Sequence, residues 1–137
     1  MFNTIFGSSS VPLTLGVHNN RLAPCPDTPN CVSSQSEDSP HYITPLFNRH
    51  FSEPIQTLRS IVDKYPRVKV LTQNETYLHV EFCSFLWGFT DDVEFYYSQS
   101  EEVVHVRSAA RVGYKDFGTN RRRMEAIRAN FNEVHNP

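Results

Sequence analysis

Hydrophobic and polar residues alternate along three segments in the second half of the chain. Segments 76–83, 92–97 and 103–107 place aliphatic or aromatic residues at every second position, and a shorter β-branched segment at 67–72 precedes them. Because successive side chains of a strand point to opposite faces, this period predicts an antiparallel meander with one apolar face. The opposite face would carry charged and titratable side chains, namely Glu81, Asp92, Glu94, His105 and Arg107.

The connection between the last two strands sets their expected pairing. A four-residue turn at 98–101 predicts Asp92 opposite Arg107 and Glu94 opposite His105. In this register Arg107 ends its strand on the polar face, where at least one carboxylate should engage its guanidinium group.

Two segments have the spacing of amphipathic helices. The first is expected to begin at Glu53 and Pro54, with Ser52 as its cap, and to stop at Pro66. The second begins near Thr119 or Asn120. Their apolar stripes are Ile55, Leu58, Ile61, Val62 and Tyr65 in the first helix, and Met124, Ile127, Phe131 and Val134 in the second.

Packing both helices on the apolar face predicts an α+β fold of two layers, with an antiparallel sheet of about four strands. One core should then bury residues from both helices and from three strands: Leu58, Ile61, Phe82, Phe95, Val106, Ile127 and Phe131.

The first fifty residues have a different character. They hold six of the nine prolines, many serines and no sustained period, which predicts an extended Pro/Ser-rich N-terminal arm that wraps the domain. We therefore divide the chain into a partly flexible arm at 1–20 and a single α+β domain at 21–137.

Composition narrows the functional classes. A chain of 137 residues with a net charge of −2 has one domain's length and no globally basic surface, which argues against nucleic acid as a partner. It has no apolar run long enough for a transmembrane segment. The N-terminus lacks the basic and continuous apolar regions of a secretory signal, which predicts a cytoplasmic protein. No cofactor is predicted, because no P-loop or dinucleotide fingerprint is present.

Three cysteines are present, and two of them frame a stiff spacer of five residues. Cys25 and Cys31 enclose Pro-Asp-Thr-Pro-Asn and are expected to lie side by side, either as a disulfide or as two reduced thiols. Cys83 should lie apart from them and be covered. A metal site that combines these cysteines with His18 or His41 is disfavoured, because no second ligand pair has a characteristic spacing.

Charge is distributed unevenly. Seven acidic residues and no Lys or Arg lie between Glu75 and Glu102, whereas seven basic and two acidic residues lie between Arg107 and Arg128. Ordinary ion pairs between the two segments would neutralise both. The run at 121–123, however, puts three arginines in the first turn of a helix, against the helix dipole. A bound phosphate or carboxylate, or a carboxylate of the acidic strands, would relieve this conflict.

Features of catalytic sites are incomplete in this sequence. Acids and titratable histidines occur near Arg107, but no nucleophile elbow or HExxH motif is present. Ser33, Ser34 and Ser108 are more often turn or capping residues than nucleophiles. The connection 84–90 contains the only Trp, which either plugs the end of the sheet or forms an aromatic lip for a ligand, a partner or peripheral membrane contact through Trp87.

Three blocks of sequence resemble one known family. Residues 22–34, 88–95 and 104–123 are similar to the domain-of-unknown-function family 1499, and the resemblance extends over residues 22 to about 130. It implies a shared fold and a set of motif positions but no reaction. These positions are Cys25, Pro26, Asn30, Cys31, Ser33, Ser34, Asp91, Asp92, Glu94, Arg107, Ser108, Arg111, Gly113, Asp116, Asn120 and Arg121.

The residues and the resemblance together lead to three hypotheses. The first is a domain that binds a small anionic ligand or a protein partner through a polar, arginine-lined site. The second is an enzyme at the same site, either a hydrolase or a thiol-dependent catalyst, and the third is an assembly protein that uses the aromatic segment 85–89. The candidate ligand-binding residues are Asp92, Glu94, Arg107, Ser108, Arg111, Asp116, Asn120 and Arg121, and the candidate loop or redox residues are Cys25, Asn30, Cys31, Ser33 and Ser34.

Overall fold

The computed structural model describes residues 10–84 and 88–134 as one antiparallel sheet with two helices. In chain order the elements are β1 (Cys31–Ser33), β2 (Leu46–Phe47), α1 (Pro54–Val62), β3 (Val68–Gln73), β4 (Tyr77–Cys83), β5 (Thr90–Ser98), β6 (Val103–Ala110) and α2 (Thr119–Glu133). The order in the sheet is β1-β6-β5-β4-β3, and β2 also pairs with β6.

The α+β class and the antiparallel sheet are confirmed, but the sheet has six strands instead of about four. The two additional strands come from the segment that we predicted to be an extended arm. β1 and β2 contain three and two residues, which is too short for a period of two to be recognised. Both are held by the edge of β6 that β5 leaves free, so their pairing depends on a distant part of the chain.

The two helices share one face of the sheet, as predicted. Side chains of α1 and α2 form a single buried cluster with the apolar residues of the strands, and all seven residues expected in the core belong to it. The second helix begins at Thr119, as expected. The first begins at Pro54 with Glu53 as its N-cap and makes no side-chain capping bond, so the prediction of a Ser52 cap is wrong.

The predicted pairing of β5 with β6 is wrong by two residues. Glu94 lies opposite Arg107 and Asp92 lies opposite Ala109, because the turn occupies residues 99–102. A shift of two residues leaves every side chain on its own face, so hydrophobic alternation cannot distinguish the two registers. β6 also continues to Ala110, which places Arg107 inside the strand instead of at its end.

The N-terminal arm crosses the polar face of the sheet, where the Gly16 N–H donates a hydrogen bond of 2.8 Å to Glu94 Oε2. Residues 1–9, to which the prediction of flexibility partly refers, lie outside the described residues. Within the described part of the chain, no helix is both long enough and apolar enough to cross a membrane.

Candidate functional site

A buried pair of opposite charges lies at the centre of the polar face. Arg107 Nη1 is 3.8 Å from Glu94 Oε1, and both side chains are almost fully buried. Tyr77 donates its hydroxyl to Glu94 Oε2, and Arg107 Nη2 donates to the Pro24 carbonyl over 3.2 Å. Burial lowers the pKa of Arg107, although the Glu94 carboxylate opposes that shift. The expected carboxylate partner of Arg107 is present as an ion pair, but Glu94 Oε1 accepts no hydrogen bond within the described residues.

A second charged cluster lies beside this pair. Arg111 Nη2 contacts Asp92 Oδ1 at 2.6 Å and Glu81 Oε2 at 2.8 Å, and His79 Nε2 lies 2.8 Å from Asp92 Oδ1. Burial opposes the ionisation of Asp92, but the hydrogen bonds from His79 and Arg111 prevail and lower its pKa. The pKa of Arg111 is raised, and the main cause is the hydrogen bond that Arg111 donates to Asp92. The candidate Arg111 is therefore neutralised by the protein itself.

Ser34, His105 and Glu101 form a linear chain of hydrogen bonds. His105 Nε2 lies 2.8 Å from Glu101 Oε1, and His105 Nδ1 lies 3.0 Å from Ser34 Oγ. A neutral ring that donates from Nε2 accepts the Ser34 hydroxyl at Nδ1. However, Ser34 Oγ also accepts the Val106 N–H at 2.9 Å and is buried, so it bridges the arm to β6.

Cys25 and Cys31 form a disulfide with a Cα–Cα distance of 5.7 Å. This confirms their predicted proximity and decides between the two alternatives left open by the sequence. The loop that they close is also held by Asn30, whose Nδ2 donates to the Gly113 carbonyl at 2.8 Å. Cys83 is a free thiol and is exposed, so the expectation that it is covered is wrong.

His41 anchors the disulfide loop. Its Nε2 donates to the Thr28 carbonyl at 2.9 Å, and its Nδ1 lies 2.8 Å from Asp38 Oδ1. Both ring nitrogens face acceptors, which favours the doubly protonated ring, and the Thr28 hydrogen bond is the main cause that raises the pKa of His41. Within residues 10–84 and 88–134, no three His, Cys, Asp or Glu side chains are grouped to hold a metal ion.

Ser33 pairs with Arg107 and its Oγ accepts the Gln35 N–H, whereas Ser108 and Asn120 meet on the helix side of the sheet. Asn120, fully buried at the start of α2, accepts hydrogen bonds at Oδ1 from Ser108 Oγ and Arg123 Nη1. Its Nδ2 donates to Asp116 Oδ2 at 2.7 Å. Arg123 also forms an ion pair of 2.8 Å with Asp91. This cluster relieves the dipole conflict at Arg123 with a carboxylate from the acidic strands.

The predicted site is thus divided between the two faces of the sheet. Arg107 points to the polar face, whereas the adjacent Ser108 contacts α2 on the core face. Asp92 and Asn120 are separated in the same way, because Asp92 alternates with core-facing Val93. The two sets of candidate residues are therefore not brought together in one cavity.

A third group of basic residues has no carboxylate partner within the described residues. Arg107, Arg111, Arg123 and Arg128 all form ion pairs. Among the other basic side chains of segment 107–128, Arg121 donates a hydrogen bond to the Pro40 carbonyl and Arg122 donates one to the Phe117 carbonyl. We call Lys115, Arg121 and Arg122 the unpaired basic group.

Two members of this group line a cavity of about 260 Å³ between the arm and the start of α2. We call it the basic cleft, and its lining includes Pro29, Pro40, Lys115, Asp116, Phe117 and Arg121. The Asp116 carboxylate already has hydrogen-bond partners, because it accepts the Gly118 N–H at 2.9 Å and the Asn120 N–H at 3.0 Å. Burial opposes its ionisation, but its hydrogen bonds, above all that from the Asn120 side chain, lower the pKa of Asp116.

Sequence reasoning found Asp116 and the arginine run at 121–123 but not Lys115 or Phe117 as site residues. The arginine run at 121–123 was the available signal, since positive charge in a first helical turn needs compensation. Which of its members receives that compensation depends on the position of Asp91, on a separate strand. The aromatic segment 85–87 lies outside the described residues, so its predicted role stays a prediction.

The fold and these clusters define a small α+β domain whose polar sheet face is internally paired. Residues 21–131 match the family described as "Protein of unknown function (DUF1499)", so the chain belongs to this family and the resemblance is confirmed. Neither the comparison with curated proteins nor that with solved structures gave a match.

Proposed function

We propose that this chain is a binding domain that receives an anionic group, carried by a small molecule or a protein partner, in the basic cleft. The observation that carries the proposal is the difference in pairing among the basic residues. Four arginines of the segment 107–128 are neutralised by carboxylates, whereas Lys115 and Arg121 line one cavity without such a partner among the described residues.

The chemistry of the cleft suits phosphate or carboxylate. A guanidinium group offers paired donors to such oxygens, and an ammonium group adds a point charge. Pro29, Pro40 and Phe117 provide apolar walls beside the two cations. Because Asp116 already accepts the N–H groups at the helix start, the two basic side chains supply the attraction.

The proposal is tested by calorimetric titration with inorganic pyrophosphate. The double variant Lys115→Ala/Arg121→Ala should bind at least about tenfold more weakly than the wild type. The control Arg49→Ala/Lys64→Ala removes the same charge from residues outside the cleft and should bind as the wild type does. If both variants bound pyrophosphate equally weakly, a specific site would be contradicted. The loss of affinity would then follow from the lower net charge alone.

A second candidate function rests on the chain Ser34–His105–Glu101. A histidine held by a carboxylate and hydrogen-bonded to a hydroxyl is the arrangement that activates a serine nucleophile. It is less favoured because Ser34 is buried and accepts a backbone N–H. Labelling of the wild type, but not of Ser34→Ala, by a fluorophosphonate probe would favour the hydrolase instead.

The location of the chain is part of the same proposal. We keep the prediction of a cytoplasmic protein. A Cys25–Cys31 pair that is oxidised in the cell would argue against it, because thiols of cytosolic proteins are normally kept reduced. Alkylation of the protein in intact host cells, followed by mass analysis, distinguishes a reduced pair from an oxidised one.

A further inference from the structure

Large apolar side chains are exposed at one end of the sheet. In the connection from β6 to α2, Phe117 is 83% exposed, Tyr114 is 59% exposed, and Val112 is also exposed. In the connection from β4 to β5, Phe89 is exposed. We call Phe89, Val112, Tyr114 and Phe117 the aromatic tip. Folding alone gives no reason for such exposure, because each ring loses the favourable transfer out of water.

Backbone pairing joins the two parts of the aromatic tip. The Arg111 N–H donates to the Thr90 carbonyl at 3.0 Å, directly after the pair formed by Asp91 and Ala110. Phe89 directly precedes Thr90 and Val112 directly follows Arg111, so both lie next to this hydrogen bond. The tip therefore lies where β5 begins and β6 ends.

The backbone at Phe117 has an unusual conformation that neighbouring residues stabilise. Its backbone has a φ of 54°, in the left-handed region that is unfavourable for a residue with a side chain. Its carbonyl accepts the Arg122 guanidinium at 2.7 Å, while Asp116 holds the following turn through the Gly118 N–H. The backbone that carries the exposed ring is thus held by hydrogen bonds on both sides.

Charge is polarised along the sheet. Glu75 lies in the β3–β4 turn, and Glu101 and Glu102 lie in the β5–β6 turn. The pairing of Tyr77 with Tyr96 places both turns at the same end of the sheet. The aromatic tip and the unpaired basic group lie at the opposite end, where β6 ends and α2 begins. An anionic surface would therefore attract the tip and repel the acidic turns.

We propose that the aromatic tip docks on a lipid bilayer containing anionic lipids, with the unpaired basic group contacting the lipid phosphates. This inference rests on the proposed function, because it names the source of the anionic group. Aromatic rings beside basic side chains are the combination that favours the interface of an anionic bilayer. A bilayer is preferred to a protein partner, because four exposed side chains are far fewer than the roughly 20–30 residues that each side of a stable protein interface contributes.

The test is cosedimentation of the full chain with two kinds of vesicle. One kind contains phosphatidylcholine alone, and the other contains phosphatidylcholine and phosphatidylserine in equal parts. The wild type should bind only the second kind, and binding should fall as sodium chloride is added.

Matched variants separate the tip from general surface hydrophobicity. Phe89→Ser/Tyr114→Ser removes two tip rings that do not line the basic cleft, and it should lower vesicle binding at least about tenfold. Tyr42→Ser/Phe47→Ser removes an equivalent pair of exposed rings elsewhere and should bind vesicles as the wild type does. Circular dichroism of both variants verifies that they are folded.

The outcomes distinguish this inference from the proposed function. Absence of vesicle binding by the wild type, or equal vesicle binding by the tip variant, overturns the membrane inference. Binding of soluble polyglutamate without binding of vesicles overturns it in favour of an acidic protein partner. Pyrophosphate binding by the wild type and the tip variant would leave the proposed function intact in all of these cases.

Discussion

Glu94 and Arg107 face each other across β5 and β6, with Arg107 Nη1 3.8 Å from Glu94 Oε1. Glu94 Oε1 and Arg107 Nε are buried and have no hydrogen-bond partner within the described residues. The other carboxylate oxygen is satisfied by Tyr77 and by Gly16 of the arm. The pair therefore connects the sheet to the arm and depends on both charges being present.

Replacing Arg107 should be costly. Arg107→Ala would leave the Glu94 charge buried without its cation, and we expect the free energy of unfolding to fall by about 3–5 kcal/mol. Urea denaturation measures this loss. The control Arg59→Ala breaks the exposed Arg59–Asp63 pair and should cost under about 1 kcal/mol. A similar small loss for both variants would contradict a structural role for the buried pair.

The conservative variant Arg107→Lys separates charge from shape. It keeps a cation opposite Glu94 but removes the guanidinium donor to Pro24, so most of the stability should remain. If Arg107 itself holds an anionic ligand, as the sequence predicted, this variant should lose that ligand while it stays folded. A melting-temperature shift by pyrophosphate that is unchanged in Arg107→Lys would restrict Arg107 to the ion pair.

The disulfide should stabilise the domain through its effect on the unfolded chain. The loop between Cys25 and Cys31 is short, with a sequence separation of 6, so the chain-entropy estimate is roughly 2 kcal/mol. Cys25→Ala/Cys31→Ala should lower the melting temperature, and a reductant should lower that of the wild type alone. Cys83→Ser, at the exposed free thiol, should change neither the melting temperature nor its decrease on addition of the reductant. A wild-type melt that does not respond to complete reduction would refute this prediction.

Stability should depend on pH through His41. Its folded pKa is raised, so the contribution is present in full below the unfolded value of about 6.5 and is lost as the pH rises through the folded pKa. In the variant His41→Gln, the difference in unfolding free energy from the wild type should therefore be larger at about pH 5.5 than at about pH 8.5. His18→Gln, at an exposed position, serves as the control. A difference that is constant over this range would show that the ring does not titrate with folding.

Among the asparagines of α2, Asn120 should contribute most to the free energy of unfolding. Asn120→Ala removes the partner of Ser108, Arg123 and Asp116 in a buried cluster, and we expect a loss of about 1–3 kcal/mol or more. Asn132→Ala changes an exposed residue of the same helix and should have little effect. Chemical denaturation of the two variants compares these values directly, and equal losses would contradict the importance of the cluster.

The faces of the elements were predictable from local pattern. Leu78, Val80 and Phe82 alternate along β4, and Met124, Ile127 and Phe131 follow the helical period of α2, so each set lies in the core. Such patterns report which side of an element avoids water, and they do so without knowledge of its neighbours. The positions of the candidate charges on the polar face followed from the same alternation.

The grouping of the candidate residues was not predictable in this way. Arg107 and Ser108 are adjacent in the sequence, but they belong to different clusters on opposite faces. The arginines at 121–123 have the same local context, yet within residues 10–84 and 88–134 only Arg123 reaches a carboxylate, that of Asp91. Contacts between distant segments of the chain decide which of several similar side chains forms an ion pair. A local sequence pattern does not report such contacts.

The sequence by itself therefore determined the α+β class, the apolar and polar faces, the two helices and the proximity of Cys25 and Cys31. Those features arise from residues close together in the chain, where periodicity and loop stiffness act. Only the tertiary structure decided the register of Glu94 with Arg107, the pairing of the short strands β1 and β2, and which basic residues of segment 107–128 reach a carboxylate within the described part of the chain. The physical reason is that a pairing shift of two residues leaves each face unchanged, so the choice is made by turns and contacts between distant segments.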